Sequence, residues 1–94
     1  MTAEDQQPLD DDGLRGTPLT ELISTIAQAL VDDPASVDVQ EIDEGDGALI
    51  ELRVAPADIG KVIGKEGRTA QSMRAILMAA SSKMGRRAHL DIVD

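Results

Sequence analysis

The stretch KVIGKEGRTAQSMR, residues 61–74, gathers basic side chains around two glycines that lie three positions apart. Apolar residues precede the first glycine, and residues at helical spacing follow the second. The pattern predicts a short helix, a turn at 64–67 and a longer helix that begins near Arg68. The first N–H groups of a helix lack backbone partners and attract an anion, and glycines allow a phosphate backbone to approach closely. The stretch therefore indicates an anion-binding turn.

Charge is segregated along the 94 residues. Residues 1–60 contain fifteen acidic residues and two basic ones, whereas residues 61–87 contain seven basic residues and one acidic one. A basic segment in a chain with a formal net charge of −9 indicates a local anion site, because screening gives nearby charges more weight than distant ones. The same charges are also typical of a solvated helix face, so charge alone does not decide between the two.

Composition excludes several classes of function. The chain has no cysteine, which excludes disulfides and cysteine chemistry, and no Phe, Tyr or Trp, which excludes an RRM-type stacking platform for bases. Its one histidine, His89, has no evident acid or nucleophile partner, so we expect no enzyme, no metal site and no cofactor. Three residues separate Gly60 from Gly64 where a nucleoside-triphosphate loop needs four. The acidic start and the lack of a long apolar run predict a cytoplasmic protein that does not contact membranes.

Hydrophobic periodicity predicts the element order α-β-β-α-α-β after a disordered acidic tail at 1–16. Thr17 and Pro18 are typical of a helix start, and the long helix is expected to bury Met73, Ile76, Leu77, Ala80 and Met84. A short turn between the first two strands predicts an antiparallel pair, and the two helices before the third strand allow a parallel one. The fold class is therefore α+β, a three-stranded mixed sheet with helices packed on one face. The predicted elements are a helix at about 18–31, strands at about 37–42 and 48–54, a short helix at 57–63, a long helix from 68 and a strand at 88–93.

The motif VIGKEGR between two helices, in this element order, resembles a KH domain of the type II arrangement. The resemblance covers residues 18–93, so residues 17–94 form the predicted KH domain. A free-standing domain of this length is more narrowly similar to the KhpA family of small RNA-binding proteins. The resemblance implies single-stranded RNA as ligand, a role as a small RNA chaperone or post-transcriptional regulator connected with cell shape, and a second KH-domain protein as partner.

The resemblance also implies which residues meet the RNA. The GxxG turn at 64–67 would clamp the sugar-phosphate backbone of about four nucleotides, and basic residues beside it would meet phosphates. Apolar residues of the short helix, with Ile50, Leu52 and Arg53 of strand two, would line the groove for bases; plain core packing is the alternative for the apolar residues. The implied RNA-binding residues are Arg53, Ile59, Lys61, Val62, Ile63, Gly64, Lys65, Glu66, Gly67 and Arg68.

A second face of the long helix suggests a different function. Small or uncharged residues recur there at helical spacing: Gln71, Ala75, Met78 and Ser82. This face is typical either of an exposed alanine-rich helix or of a helix-packing contact. In the second case the protein is a dimerisation module or interaction scaffold, as a homodimer or a heterodimer, with little RNA binding. The two functions are separable, because RNA binding depends on Lys65 and Arg68 whereas assembly depends on Met78.

Overall fold

The computed structural model describes residues 17–94, and the tail predicted at 1–16 lies outside the described residues. The element order is the predicted one, and single turns of 3-10 helix connect several elements. The helices and strands are α1 (Pro18–Leu30), β1 (Asp38–Asp43), β2 (Ala48–Arg53), α2 (Ile59–Ile63), α3 (Arg68–Lys83) and β3 (Ala88–Val93).

Helix α1 begins where the sequence predicts. The Thr17 hydroxyl accepts a hydrogen bond from the Thr20 backbone N–H at 3.2 Å, and Pro18 occupies the first helical position, where no N–H is needed. Leu19, Ile23 and Ala27 recur at helical spacing and are fully buried. The helix ends at Leu30, one residue before the extended Val31.

The sheet has the order β1-β2-β3, with β1 and β2 antiparallel and β2 and β3 parallel. Successive residues of a strand point to opposite faces, and Ala48, Ile50 and Leu52 of β2 are completely buried. Ile50 and Leu52 join buried residues of all three helices in one core, so the helices cover one face of the sheet. This is the mixed sheet expected for the type II KH arrangement, and the fold prediction is confirmed. None of the helices described is long and apolar enough to cross a membrane.

The buried stripe of α3 differs from the prediction. Ile76 and Met84 are each 45% exposed, whereas the buried residues are Ala70, Met73, Leu77 and Ser81. Ile76 lies about 100° around the helix from Leu77, and Met84 follows the last helical residue. Ser81 is 1% exposed, and its hydroxyl donates to the Met78 carbonyl at 3.1 Å, which satisfies the buried polar group.

Glu41 joins three parts of the fold through one carboxylate. Its Oε1 accepts a 2.6 Å hydrogen bond from the Thr17 hydroxyl, and its Oε2 lies 2.8 Å from Arg86 Nη1. The Glu41 side chain is only 12% exposed, and its bond to Arg86 is partly buried, whereas its bond to Thr17 is exposed. Glu41 therefore fixes the start of α1 beside the loop that leads from α3 into β3.

Candidate nucleic-acid interface

The turn between α2 and α3 is built from backbone conformations that few residues adopt. Gly64 has φ 77° and ψ 173°, which is a region populated almost only by glycine. Glu66 and Gly67 follow in the left-handed region, with φ 57° and 75°. Of the three, only Glu66 has a Cβ that makes a positive φ unfavourable, and such residues cluster at functional sites.

The conformation of Gly64 is accompanied by a close approach of α3. A Cβ added at Gly64 would overlap the Thr69 hydroxyl and would lie 2.6 Å from the Thr69 Cβ and 2.9 Å from its backbone nitrogen. Gly67 is different, because a Cβ there would meet nothing within 4 Å. Gly64 therefore fixes the turn against the first helical residues of α3, and Gly67 supplies only its left-handed backbone.

The N-terminus of α3 carries no side-chain cap. The capping residue is Gly67, which has no side chain to accept from the first N–H groups of the helix. Lys65 and Arg68 flank these groups and are exposed. Arg68 lies 3.2 Å from Glu66, but the two side chains are 75% and 66% exposed, so this pair holds Arg68 only weakly. The arrangement concentrates N–H donors and positive charge where an anion can reach them.

Lys61, in contrast, is engaged in the scaffold. Its ammonium nitrogen lies 3.3 Å from Asp32 and 3.8 Å from Asp58, whose side chain is 3% exposed. Asp58 also accepts the Asp33 backbone N–H at 3.0 Å. Lys61 thus neutralises a buried carboxylate that attaches the end of α1 to the start of α2. The Lys61 side chain is nevertheless 44% exposed, so the phosphate contact predicted for it stays a prediction, beside Lys65 and Arg68 at the turn.

The residues predicted to line the base groove divide into two groups. Ile63, directly before Gly64, is 39% exposed, and Ile59 is half-buried, so both offer apolar surface beside the turn. Val62 is 0% exposed and belongs to the core, as do Ile50 and Leu52, so these three support the site from beneath instead of lining it.

Arg53 is also separated from the turn. It follows the buried Leu52 in β2, so its side chain lies on the sheet face away from the helices, where it is 53% exposed. Its guanidinium is 4.0 Å from Glu51 on the same face. Because α2 and α3 pack on the other face, the structure does not bring Arg53 together with the glycine turn.

The predicted second face of α3 is exposed. Gln71, Ala75, Met78 and Ser82 all lie at the surface, and Met78 is 63% exposed, the highest value among the exposed large hydrophobic residues of the part of the chain that the structure describes.

This face borders a concavity that sequence reasoning missed. A groove of about 380 Å³, called here the α3–β3 groove, runs between the end of α3 and the edge strand β3. The sequence does not indicate this groove, because β3 lies beside α3 only in the folded chain. The available signals were the two basic residues at 86–87 and Met78, which lies outside the predicted buried stripe. The groove is lined by Met78, Ser81, Ser82, Arg86, Arg87, Ala88 and His89.

Among residues 17–94, no group of three or more His, Cys, Asp or Glu side chains is placed to hold a metal ion.

Comparisons with known proteins agree with the fold. The family model described as "KhpA/KhpB, KH domain" matches residues 20–92. An RNA-binding protein KhpA from Halalkalibacterium halodurans is 53% identical over 73 residues, which cover 78% of this chain and 96% of that protein. An RNA-binding protein KhpA from Aquifex aeolicus is 45% identical over 76 residues, covering 81% of this chain and 96% of that one.

Among solved structures, a point variant of Aquifex aeolicus Era bound to GDP·AlF4− aligns with a TM-score of 0.57 and 17% identity, covering 98% of this chain and 36% of that one. A structure of Era in complex with MgGDPNP and nucleotides 1506–1542 of 16S ribosomal RNA aligns with a TM-score of 0.56 and 18% identity, covering 94% of this chain and 35% of that one. At this identity the two structures establish the fold only. The family model and the curated relatives establish more: the chain belongs to the KhpA/KhpB KH-domain family.

Proposed function

We propose that this protein binds single-stranded RNA and acts as a small RNA chaperone or post-transcriptional regulator. The observation that carries the proposal is the N-terminus of α3 without a side-chain cap behind the glycine turn at 64–67, with Lys65 and Arg68 exposed beside it. The relatives named RNA-binding protein KhpA support RNA as the ligand.

In this function the turn holds the sugar-phosphate backbone and leaves the bases to neighbouring surfaces. Phosphate oxygens accept from N–H groups of the first turn of α3 that follow Arg68, whose own N–H donates to the Lys65 carbonyl, and they contact the Lys65 and Arg68 side chains. Ile59 and Ile63 offer apolar surface to an unstacked base, in a protein without Phe, Tyr or Trp. The site is small, so binding by one domain is weak, and a second KH domain is needed for tight binding through avidity.

The direct test compares single-stranded RNA with duplex RNA of equal length in a fluorescence titration. Because the turn and its apolar neighbours accept only bases that are not paired, the single strand is expected to compete at least about tenfold better. If about two phosphates are neutralised, log K against log salt should have a slope of roughly −1.4. Equal competition by the duplex, or a much steeper slope, would show diffuse binding to basic surface and contradict the clamp.

A second candidate function, assembly, is favoured by the exposure of Met78. A side chain that is 63% exposed adds apolar surface to a helix face whose other members are small or uncharged. Ala75 and Ser82 beside it allow another helix to approach closely, and methionine adapts readily to a partner surface. We propose that this face joins two KH domains, as a homodimer or as a heterodimer with a second KH-domain protein, and so supplies the avidity that one site lacks.

Sedimentation of Met78→Lys tests the assembly. The substitution is expected to shift the protein to monomer and to leave its circular dichroism unchanged, because Met78 lies outside the core. Ile76→Lys is the matched control, since Ile76 is 45% exposed on the other flank of α3 and should keep the wild-type association. The assembly proposal fails if wild type and Met78→Lys have the same sedimentation coefficient and the variant still binds a second KH-domain protein with wild-type affinity.

A further inference from the structure

Strand β3 forms one edge of the sheet. It pairs with β2 on one side, and among residues 17–94 no strand pairs with its other side. A free strand edge presents unpaired N–H and C=O groups, which are a template for a further strand. The opposite edge, β1, carries exposed Asp38 and Asp43, so like charges oppose its pairing with a second β1, whereas β3 has no Pro or Lys and only one acidic residue, Asp91. The β3 edge is therefore the one that can accept a further strand.

The exposed side chains of β3 are complementary to each other. His89 and Asp91 lie on the sheet face away from the helices, because Leu90 between them is buried on the helical face. Among residues 17–94, neither side chain lies within 4.0 Å of an oppositely charged one. An imidazole N–H donates to a carboxylate whether the ring is neutral or protonated. A second, antiparallel β3 centred on Leu90 would set each His89 directly opposite the Asp91 of the other copy, which makes two cross-strand pairs.

The register of such a pairing is restricted by the faces of the sheet. Directly opposed residues of antiparallel strands lie on the same face, so the helices of both copies cover one face only if odd-numbered residues oppose odd-numbered ones. Centring on Asp91 would oppose two carboxylates, and centring on His89 would oppose two imidazoles, and neither contact is attractive. Centring on Leu90 avoids both contacts and sets the two Leu90 side chains against each other on the helical face.

The helix layer places Met78 at the same point. Met78 lines a small concavity of about 120 Å³ together with Ala88, His89 and Leu90. A two-fold axis that passes beside Leu90 therefore also passes beside Met78, the residue on which the proposed assembly depends. The pairing of the strands and the packing of the α3 helices are compatible with one symmetric contact.

We infer that a second copy of this chain pairs β3 with β3 in the antiparallel register centred on Leu90, so that the three strands of each copy form one sheet of six. The inference rests on the proposed assembly and specifies its partner, the same chain, and its contact. The two α3 helices then run in opposite directions, and Gly67 lies eleven residues before Met78, about 16 Å along the helix. The two glycine turns are therefore roughly 30 Å apart, and a single RNA must bridge that distance to use both.

Disulfide cross-linking tests the pairing and its register. The sequence has no cysteine, and positions 89 and 91 are exposed, so cysteine there leaves the core intact. Directly opposed residues have Cβ atoms about 5 Å apart, whereas diagonal neighbours are about 7–8 Å apart, too far for a disulfide. A mixture of His89→Cys and Asp91→Cys is expected to form a disulfide-linked heterodimer under mild oxidation. Each variant alone, at the same total concentration, should stay at least about tenfold less cross-linked on a non-reducing gel.

A swap of the two side chains separates their pairing from net charge. His89→Asp alone sets carboxylates opposite each other, and Asp91→His alone sets imidazoles opposite each other. Each is expected to weaken self-association at least about fivefold in sedimentation equilibrium. The double variant, His89→Asp with Asp91→His, has the composition and the net charge of the wild type and restores both cross-strand pairs. Its dissociation constant should return to within about twofold of the wild-type value.

Three results would overturn the pairing. A mixture that does not cross-link, although Met78→Lys still converts a dimer to monomer, refutes the strand contact and leaves the helix contact in place. Strong cross-linking of His89→Cys alone, or of Asp91→Cys alone, refutes the register centred on Leu90. A wild-type chain that sediments as a monomer at every concentration refutes the pairing, and the proposed assembly then depends on a different KH-domain protein.

Discussion

Replacing Gly64 by alanine is expected to lower the free energy of unfolding by at least about 3 kcal/mol. Two independent costs add at this position. The backbone at φ 77° and ψ 173° lies in a region that residues with a Cβ avoid, and the new methyl group would overlap the Thr69 side chain. The nearby Thr69 backbone nitrogen belongs to α3, so relief requires moving the helix and not only a side chain. Urea denaturation followed by circular dichroism at 222 nm measures the loss.

The other glycines of this region provide graded controls. Gly67→Ala should cost only about 1–2 kcal/mol, because its φ of 75° disfavours a Cβ but no atom lies within 4 Å. Gly60→Ala should stabilise the protein by up to about 1 kcal/mol, since Gly60 is exposed within helix α2 and its Cβ would meet open space. A Gly64→Ala variant as stable as Gly60→Ala would contradict the geometry of the turn.

Replacing Lys65 and Glu66 together by aspartate is expected to weaken single-stranded RNA binding at least tenfold and to leave the fold intact. The change adds negative charge of about two units at the N-terminus of α3, and each unit near a phosphate costs on the order of 1 kcal/mol even in water. Glu66 has φ 57°, and aspartate adopts the left-handed region more readily than most residues, so the backbone of the turn is preserved. Fluorescence titration measures the affinity, and urea denaturation verifies the stability.

A remote pair of substitutions controls for net charge. Thr25→Glu and Gln28→Glu alter the charge by the same amount on an exposed face of α1 that borders β1, at the opposite edge of the sheet from β3. This pair should change affinity by no more than about twofold at physiological salt, where distant exposed charges are screened. If it weakens binding as strongly as the aspartate pair, long-range repulsion accounts for both results and the turn holds no phosphate.

The fold was predictable because its signals are local. Thr17 and Pro18 start α1 as expected, and the alternation of Ala48, Ile50 and Leu52 identifies a strand with one buried face. The helical boundaries around 64–67 follow from the two glycines alone. In each case the residues that form the sequence pattern also form the cap, the buried face or the turn. Hydrophobic periodicity and capping signals were therefore sufficient to predict these elements.

The site was less predictable because its side chains contact residues that are distant in sequence. The sequence around Lys61 does not indicate that its ammonium group pairs with Asp32. The groove contact predicted for Val62 did not allow for the face of α2 that packs on the core, where Val62 is buried. The stripe of α3 failed for a related reason. The two sides of α3 differ little in hydrophobicity, so the prediction buried Ile76 because it is the more hydrophobic residue. In the structure Ser81 is buried instead, and its hydroxyl donates to the Met78 carbonyl.

The parallel pairing of β2 with β3 bears on how the protein folds. Residues that pair across β1 and β2 are close in sequence, because a short turn joins the two strands, whereas Ala48 pairs with Ala88 and Arg53 with Val93 after two intervening helices. Closing that long loop lowers the chain entropy before any β2–β3 hydrogen bonds form. The β1–β2 hairpin can therefore form early, and β3 is expected to pair late. A nascent chain that has not yet docked β3 already contains the glycine turn but still lacks one wall of the α3–β3 groove.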